Sequence, residues 1–327
     1  MDISPAAIGA NPLGTQDGAG HPTNPVTGIP YEANPVNLAD FGRVVAEFWA
    51  DGPHSETPPG HWNTLANTVS DDLAPDLQIA GEGPVVDRLE WDVKLYLALN
   101  GANHDAAVAA WGTKGHYDYI RPISMIRYLG GLGQSSDPNG RSYHPDGLPL
   151  VPGLVEVIIP ASTSSEGRHA ALAGHEGGIA VRTYAGNPPD PESGTGGVDW
   201  ILAVDWVPYQ ATNFVTPSFA GYVSGHSTFS RASAEVMAGF TGSEFFPGGM
   251  GEWTIAAGSL EFESGPETDI TLQWATYADA SDQAGISRLY GGIHVPADDF
   301  AGRVMGAEIG RAAWEMAQSY YGEPANG

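Results

Sequence analysis

An all-α protein with long Gly/Pro-rich connections is what the sequence predicts, and three observations carry that reading. The apolar residues fall at helical spacing in stretch after stretch, about eight in all. Those stretches open on residues such as Asn37, Ser224 or Pro296 and stop at glycines, which is the local chemistry of helix ends. Glycine (44) and proline (26) are abundant and gather in residues 1–36, 51–60 and 130–200, so the loops are concentrated there. A chain of 327 residues is long enough for a sizeable core. We therefore expect an extended arm over 1–36 and a single helical domain over 37–327, with 130–200 as a long loop-rich insertion.

Residues 1–36 have no apolar period and many turn formers; they read as an arm crossing the surface or a neighbouring subunit, or as plain disorder. Asn37 opens a helix to about Ala50, with Leu38, Phe41, Val45, Phe48 and Trp49 on one face. In the following loop, GPHSETPPGHWN, His54 and His61 could line a cleft, although an exposed loop histidine is the commoner case. Residues 84–112 carry so wide an apolar face, from Val86 and Leu89 to Leu99 and a run of alanines, that a helix buried on most sides is expected. Asp105 lies within it, and an acid at such depth pairs with an arginine or caps a helix; it is a candidate for supporting a ligand-holding residue from behind.

Three bends between helices come next. Gly112 and Gly115 stop the first long helix and Pro122 opens ISMIRYLG, so Lys114 and Arg121 flank one bend. After a short helix expected at 168–185, the sequence from His226 is helical, which puts Ser224 and Gly225 at an N-terminus where free N–H groups favour an anion. Ser224 could equally be no more than a cap. Residues 269–290 read as one long helix ended by Gly291 and Gly292, with Arg288 in its last turn; Pro296, Asp298 and Asp299 form the first turn of the next, leaving His294 in the bend between them.

Composition excludes several functions. The chain has no cysteine, so disulfides, thiol catalysis and sulfur-ligated metals are out. A net charge of −26 argues against nucleic acid or an anionic membrane as partner, and no run of apolar residues is long enough to span a bilayer. His169 and His175 lie in HEGG rather than HExxH, so no zinc site follows from them. Lysine is represented only by Lys94 and Lys114. Against that background, Lys114, Arg121 and Arg288, each at a helix break, together with Ser224 and the Gly225 N–H, describe a pocket for a tetrahedral oxyanion. His294 supplies an axial atom to attack or coordinate it, and His226 a proton donor or acceptor near neutral pH.

Lys114-x6-Arg121-Pro122, Ser224-Gly225-His226 and Ser287-Arg288-x5-His294 together resemble the three-part signature of vanadium-dependent haloperoxidases and type 2 phosphatidic acid phosphatase relatives, bacterial acid phosphatases included. FWADGPHSETPPGHWN and the stretch from Trp206 onward look like soluble bacterial haloperoxidases. One departure is Val223, where the family's usual residue is proline. The resemblance implies a helical bundle with vanadate, or phosphate in the same place, at one end of a four-helix core. It implies that His294 bonds vanadium, that Lys114, Arg121, Ser224, Gly225 and Arg288 hold the equatorial oxygens, and that His226 meets the apical oxygen.

Two chemistries fit these residues, because vanadate has the shape and charge of a phosphoryl-transfer transition state. We expect a haloperoxidase taking hydrogen peroxide, bromide, iodide and, from the aromatic Phe219 at the halide-site candidate position, chloride, with small organic acceptors. The alternatives are an acid phosphatase working through a phosphohistidine, and an oxyanion-binding protein without turnover. The long 123–218 connection, an acidic surface that repels phosphate esters and the lack of oxidisable cysteine favour the first. A homo-oligomer is expected. The first thirty residues lack a secretory signal, yet the acidic, lysine-poor composition suits a salty medium, so we expect a soluble protein, secreted or periplasmic, of a marine or halotolerant bacterium.

Overall fold

The computed structural model describes residues 1–9, 20–50, 55–73 and 75–321. Among them the α-helices are α1 (Leu38–Phe48), α2 (Pro58–Asp72), α3 (Arg88–Tyr117), α4 (Pro122–Leu132), α5 (Gly225–Thr241), α6 (Tyr277–Tyr290) and α7 (Pro296–Tyr321). The connections hold two small antiparallel sheets. β1 (Val155–Val157), β2 (Ile179–Tyr184) and β3 (Val198–Leu202) pair in that order, and β4 (Gly251–Ile255) pairs with β5 (Ile270–Trp274), Trp253 facing Leu272. The helical-bundle class holds, with short strands in the connections, two of them inside stretches that read as helix.

Helix α5 lies at the centre, packed on α3, α6 and α7, while α2 and α3 also touch and α1 leans on α6. Its sequence, GHSTFSRASAEVMAGFT, is mostly small, and 12 of its 17 residues are buried. The partner helix α7 carries Gly302, Gly306 and Gly310 at four-residue intervals along one face. A Cβ on Gly306 would stand 2.4 Å from the Thr228 carbonyl oxygen, so only glycine lets the two backbones come this close. A buried ionic cluster locks the same end: Arg303 meets Asp282 of α6 at 2.6 Å and Asp299 at 2.7 Å, and the Ser227 hydroxyl of α5 donates to Asp299 at 2.6 Å. Breaking such a cluster on one side costs about 3–5 kcal/mol, since it strands a buried charge. Four fully buried tryptophans, Trp49, Trp62, Trp91 and Trp274, fill the core around it.

Several helix ends fall where local chemistry puts them. Asn37 caps α1 through its side chain, Pro122 and Pro296 start α4 and α7, and Gly291 with Gly292 (φ +71°) ends α6. Other expectations need correction. The helix expected at 168–185 is a short 3₁₀ turn (Ala170–Leu172) and strand β2, whose IAVRTY is rich in β-branched and aromatic residues suited to a pleated surface. The helix expected at 269–290 is two elements. Residues Ile270–Trp274 form β5 with alternating burial, and a capping box between Thr276 and Asp279 starts α6 afresh. Gly112 and Gly115 do not stop α3; it runs through them to Tyr117 and turns off at Asp118, which is left-handed (φ +45°).

Nor is α3 buried on most sides. Trp91, Leu95, Leu99 and Ala102 face the core, but Leu89, Val93 and Leu97 are exposed. Helix α2 occupies what reads as loop and carries His61 inward, and His54 lies outside the described residues. The described part of the arm lies across its own chain: Ile3 joins the main core, the Asn24 amide donates to Gly248 O, and the Asn34 amide donates to Thr271 O on β5. None of the helices with described residues is long and apolar enough to cross a membrane.

Candidate oxyanion site

Five helix ends meet at one end of the bundle: the last turn of α3, the starts of α4 and α5, and the two that flank the α6–α7 bend. Lys114, Arg121, Gly225, His226, Arg288 and His294 all line one cleft of about 370 Å³. The remainder of its wall is largely apolar, including Pro58 of α2, Trp111 of α3, Phe229 of α5 and Phe214, Pro217 and Phe219 of the connection before α5.

His294 is held from both sides. Its Nδ1 donates to Asp298 Oδ2 at 2.9 Å, and Arg121 Nη1 approaches its Nε2 at 3.0 Å. A guanidinium can only donate, so Nε2 must be the acceptor and the ring is neutral with its proton on Nδ1. Burial first, then the charges of Arg121, Lys114 and Arg288, keep this imidazole well below its ordinary range, in accord with that tautomer. The Asp298 carboxylate also accepts from the Val295 N–H at 3.2 Å. Burial raises Asp298, and the Val295 N–H, Lys114 and Arg121 work against that rise.

Backbone carbonyls anchor much of the cationic cluster. Lys114 Nζ donates to Ala220 O and Gly221 O, both at 2.9 Å. Arg121 Nε donates to Phe219 O and its Nη1 to Ile293 O, each at 2.9 Å. Arg288 donates through Nε to Ser287 Oγ at 2.9 Å and through Nη2 to Ala46 O at 2.8 Å, reaching back to the last turn of α1. Burial, reinforced by Arg121, pushes the Lys114 ammonium down to about 7; burial takes Arg121 down to about 10, still charged at neutral pH. Such a cluster is costly to keep together and gains by taking an anion.

The residues fit a tetrahedral oxyanion. Arg121 Nη2 is buried and has no hydrogen-bond partner, a donor left for a ligand. Gly225 is the first residue of α5, where the N–H has no carbonyl within the helix, and Trp111 lies 3.2 Å from where a Cβ would stand. Ser224 is the N-cap of α5 and accepts from the Ser227 N–H at 3.3 Å. It is buried behind Gly225 rather than on the cleft wall, but that bond uses only its oxygen, and the hydroxyl proton can still be given to a ligand. His226 donates Nε2–H to Trp49 O at 2.7 Å, and burial with the charge of Arg288 holds its ring neutral. To trade a proton with a ligand, His226 works through Nδ1 or breaks that bond. Phe219 lies over both cations, 5.2 Å from Arg121 Cζ and 5.3 Å from Lys114 Nζ.

The family model of the VCPO second helical-bundle domain matches residues 94–323. The chain belongs to that family, within the vanadium haloperoxidase superfamily. Its fold is similar to a holo-type bacterial vanadium-dependent chloroperoxidase, with a TM-score of 0.55, 19% identity, 87% of this chain covered and 45% of that one. An apo-type bacterial vanadium-dependent chloroperoxidase gives a TM-score of 0.51 at 17% identity, with 92% and 60% covered. The chain thus spans about half the length of the solved structures it matches, 45% and 60%. None of the curated proteins matches it.

In this VCPO-type chain Asp105 does not support the site. It is exposed on the outer face of α3 beside His104, because helical drift over the long α3 turns it away from the core. The acid that does support the site is Asp298. Its signal was an acid four residues past His294, which the reading of a first-turn acid absorbed. Trp111, three residues before Lys114, is the other residue missed; three residues is one helical turn, so the two share a face. Gln210, Phe214 and Pro217 come from the long connection and carry no motif. His61 faces a separate cavity of about 330 Å³ beside Glu47, while His169 is buried near Glu156 on the three-stranded sheet.

Proposed function

We propose that the protein is a vanadate-dependent haloperoxidase that oxidises bromide, iodide and chloride with hydrogen peroxide. What carries the reading is the neutral His294, its Nε2 lone pair in one cleft with Lys114, Arg121 and Arg288, beside an unpartnered guanidinium N–H. Vanadate held there would supply an electrophilic centre that makes peroxide reactive toward a halide. The chain's own residues do the rest. His294 offers its lone pair to the metal, and Asp298 keeps that nitrogen unprotonated. The three cations, the Gly225 N–H and the Ser224 hydroxyl take up the charge of the oxygens, the electrostatic work that is the largest share of catalysis in many enzymes. His226 exchanges a proton beside them. Apolar walls limit water near the reacting atoms. The −26 net charge leaves neutral peroxide free to approach and disfavours phosphate esters.

The same lone pair could attack a phosphate ester, with His226 protonating the leaving alcohol, so phosphatase activity is the competing reading. The test is to load the protein with orthovanadate and supply peroxide, bromide and a brominatable dye, and separately to give the vanadate-free protein a chromogenic phosphate ester. Dye bromination supports the proposal. Ester turnover without bromination overturns it in favour of the phosphatase, and vanadate binding with neither leaves an oxyanion-binding protein. A soluble homo-oligomer, secreted or periplasmic, completes the proposal; light scattering reads the subunit count.

A further inference from the structure

The cleft is larger and more apolar than its inorganic chemistry needs. The cleft offers about 370 Å³, more than twice the roughly 150 Å³ of an apolar cavity that holds benzene. Among the described residues, three tryptophan and phenylalanine rings are left nearly half exposed, and all three lie here: Trp111 at 44%, Phe214 at 45% and Phe219 at 42%. Exposed apolar side chains usually scatter singly; a cluster of them in a concavity marks a binding surface.

Part of this wall has another explanation. Phe219 is fixed over Lys114 and Arg121, and Trp111 packs on Phe229 at 6.0 Å between ring centres and lies 5.8 Å from Lys114 Nζ. Phe214 has no such role, since it stands on the loop before α5 and contributes an exposed ring to the same space. The wall also adjoins the oxyanion pocket directly, because the Trp111 ring abuts Gly225. Trp111 and Phe219 stand 5.3 Å apart with their planes tilted by 50°, a geometry that leaves ring faces available to a third ring.

We infer that this wall binds the organic acceptor, a neutral aromatic molecule of about the size of a substituted phenol, so that it is halogenated while bound. The inference rests on the haloperoxidase reading for its chemistry but not for its binding. The halide gives two electrons to peroxide; one peroxide oxygen takes up a proton from the medium and leaves as water, and the other stays in hypohalous acid. The ring carbon then takes the halogen and loses its proton, and the hydroxide released leaves with that proton as a second water.

The test has two arms, both on the full chain. Thymol is titrated by calorimetry, with and without orthovanadate, into the native protein and into Phe214→Ala, a substitution in the loop before α5. We expect saturable binding that vanadate does not displace, and about a tenfold weaker affinity in the variant. Absence of saturable binding, or an affinity indifferent to Phe214, overturns the inference whether or not the protein turns over. In the second arm, thymol is brominated by the loaded enzyme and by added hypobromite. Distinct isomer ratios that converge in Phe214→Ala support bound halogenation, and identical ratios refute it. Triiodide formation without acceptor is measured in parallel in the native protein; its loss there would strike the haloperoxidase reading instead, leaving the calorimetric arm to decide the binding.

Discussion

Asp298 gives the sharpest way to break the site without touching the ligand. It is fully buried, its Oδ2 accepts from His294 Nδ1 at 2.9 Å, and through that bond, with Arg121 Nη1 on the other side, it holds the ring proton on Nδ1 and the lone pair on Nε2. In Asp298→Ala the Nδ1 proton loses its acceptor, and hydrogen bonds to charged groups contribute about 1.5–3 kcal/mol. An independent scale agrees: removing the outer partner of a metal-binding histidine weakens affinity about 10–100-fold, or about 1.4–2.7 kcal/mol. One effect opposes this, because the carboxylate partly offsets Lys114 and Arg121 and its removal strengthens their pull on an anion. The hydrogen bond is short and direct whereas the cations are reached through space, so loss of orientation should win, leaving a net weakening of about tenfold. Orthovanadate affinity by calorimetry measures it, with circular dichroism to check the fold. Asp298→Asn, which can still offer an oxygen to Nδ1, should fall between, and the imidazole ¹⁵N shifts should show the Nδ1–H form in Asn but a tautomer mixture in Ala. Unchanged or tighter vanadate binding by a folded Asp298→Ala would refute the positioning role.

Three further outcomes are expected. His294→Ala should abolish vanadate binding, whereas His226→Ala should retain it within about threefold and lose at least about 100-fold in halide oxidation, the scale of one general acid–base group; the reverse pattern would mean that the roles are exchanged. Lys114, brought down to about 7, loses its charge as pH rises through neutrality. Oxyanion affinity should then fall with pH relative to Lys114→Arg, by up to about tenfold per unit above 7, the anion's own titration cancelling in the comparison; parallel profiles for the two proteins would contradict this. Gly306→Ala puts a methyl 2.4 Å from the Thr228 carbonyl oxygen, and overpacking of this kind costs about 1–3 kcal/mol. Urea unfolding should show the midpoint lowered at constant slope, and an unchanged midpoint would mean that α5 and α7 part easily.

What could be read from the sequence was whatever is encoded over one or two helical turns. Asn37 ahead of an apolar run, Pro122 and Pro296 at first turns, and Gly291-Gly292 after Tyr290 each fix a helix end by backbone geometry alone. Lys114, Arg121, Gly225, His226, Arg288 and His294 sit close to such ends, and all of them reach the same cleft. Strand β5 escaped because its apolar/polar alternation, ITLQW, lasts only five residues before a helical sequence takes over. Helix α2 was hidden by a proline pair that reads as loop and proves to be its first turn.

The sequence by itself determined the class of fold and which charged residues stand at the helix ends around the cleft, because helix ends and charged residue types are local properties. Only the tertiary structure decided which carboxylate serves it, since Asp105 and Asp298 differ not in chemistry but in the direction their helices point them. It also decided the tautomer of His294, which depends on a guanidinium 173 residues away in sequence, and the apolar wall beside it, built from α2, α3, α5 and the connection before α5, which share no motif.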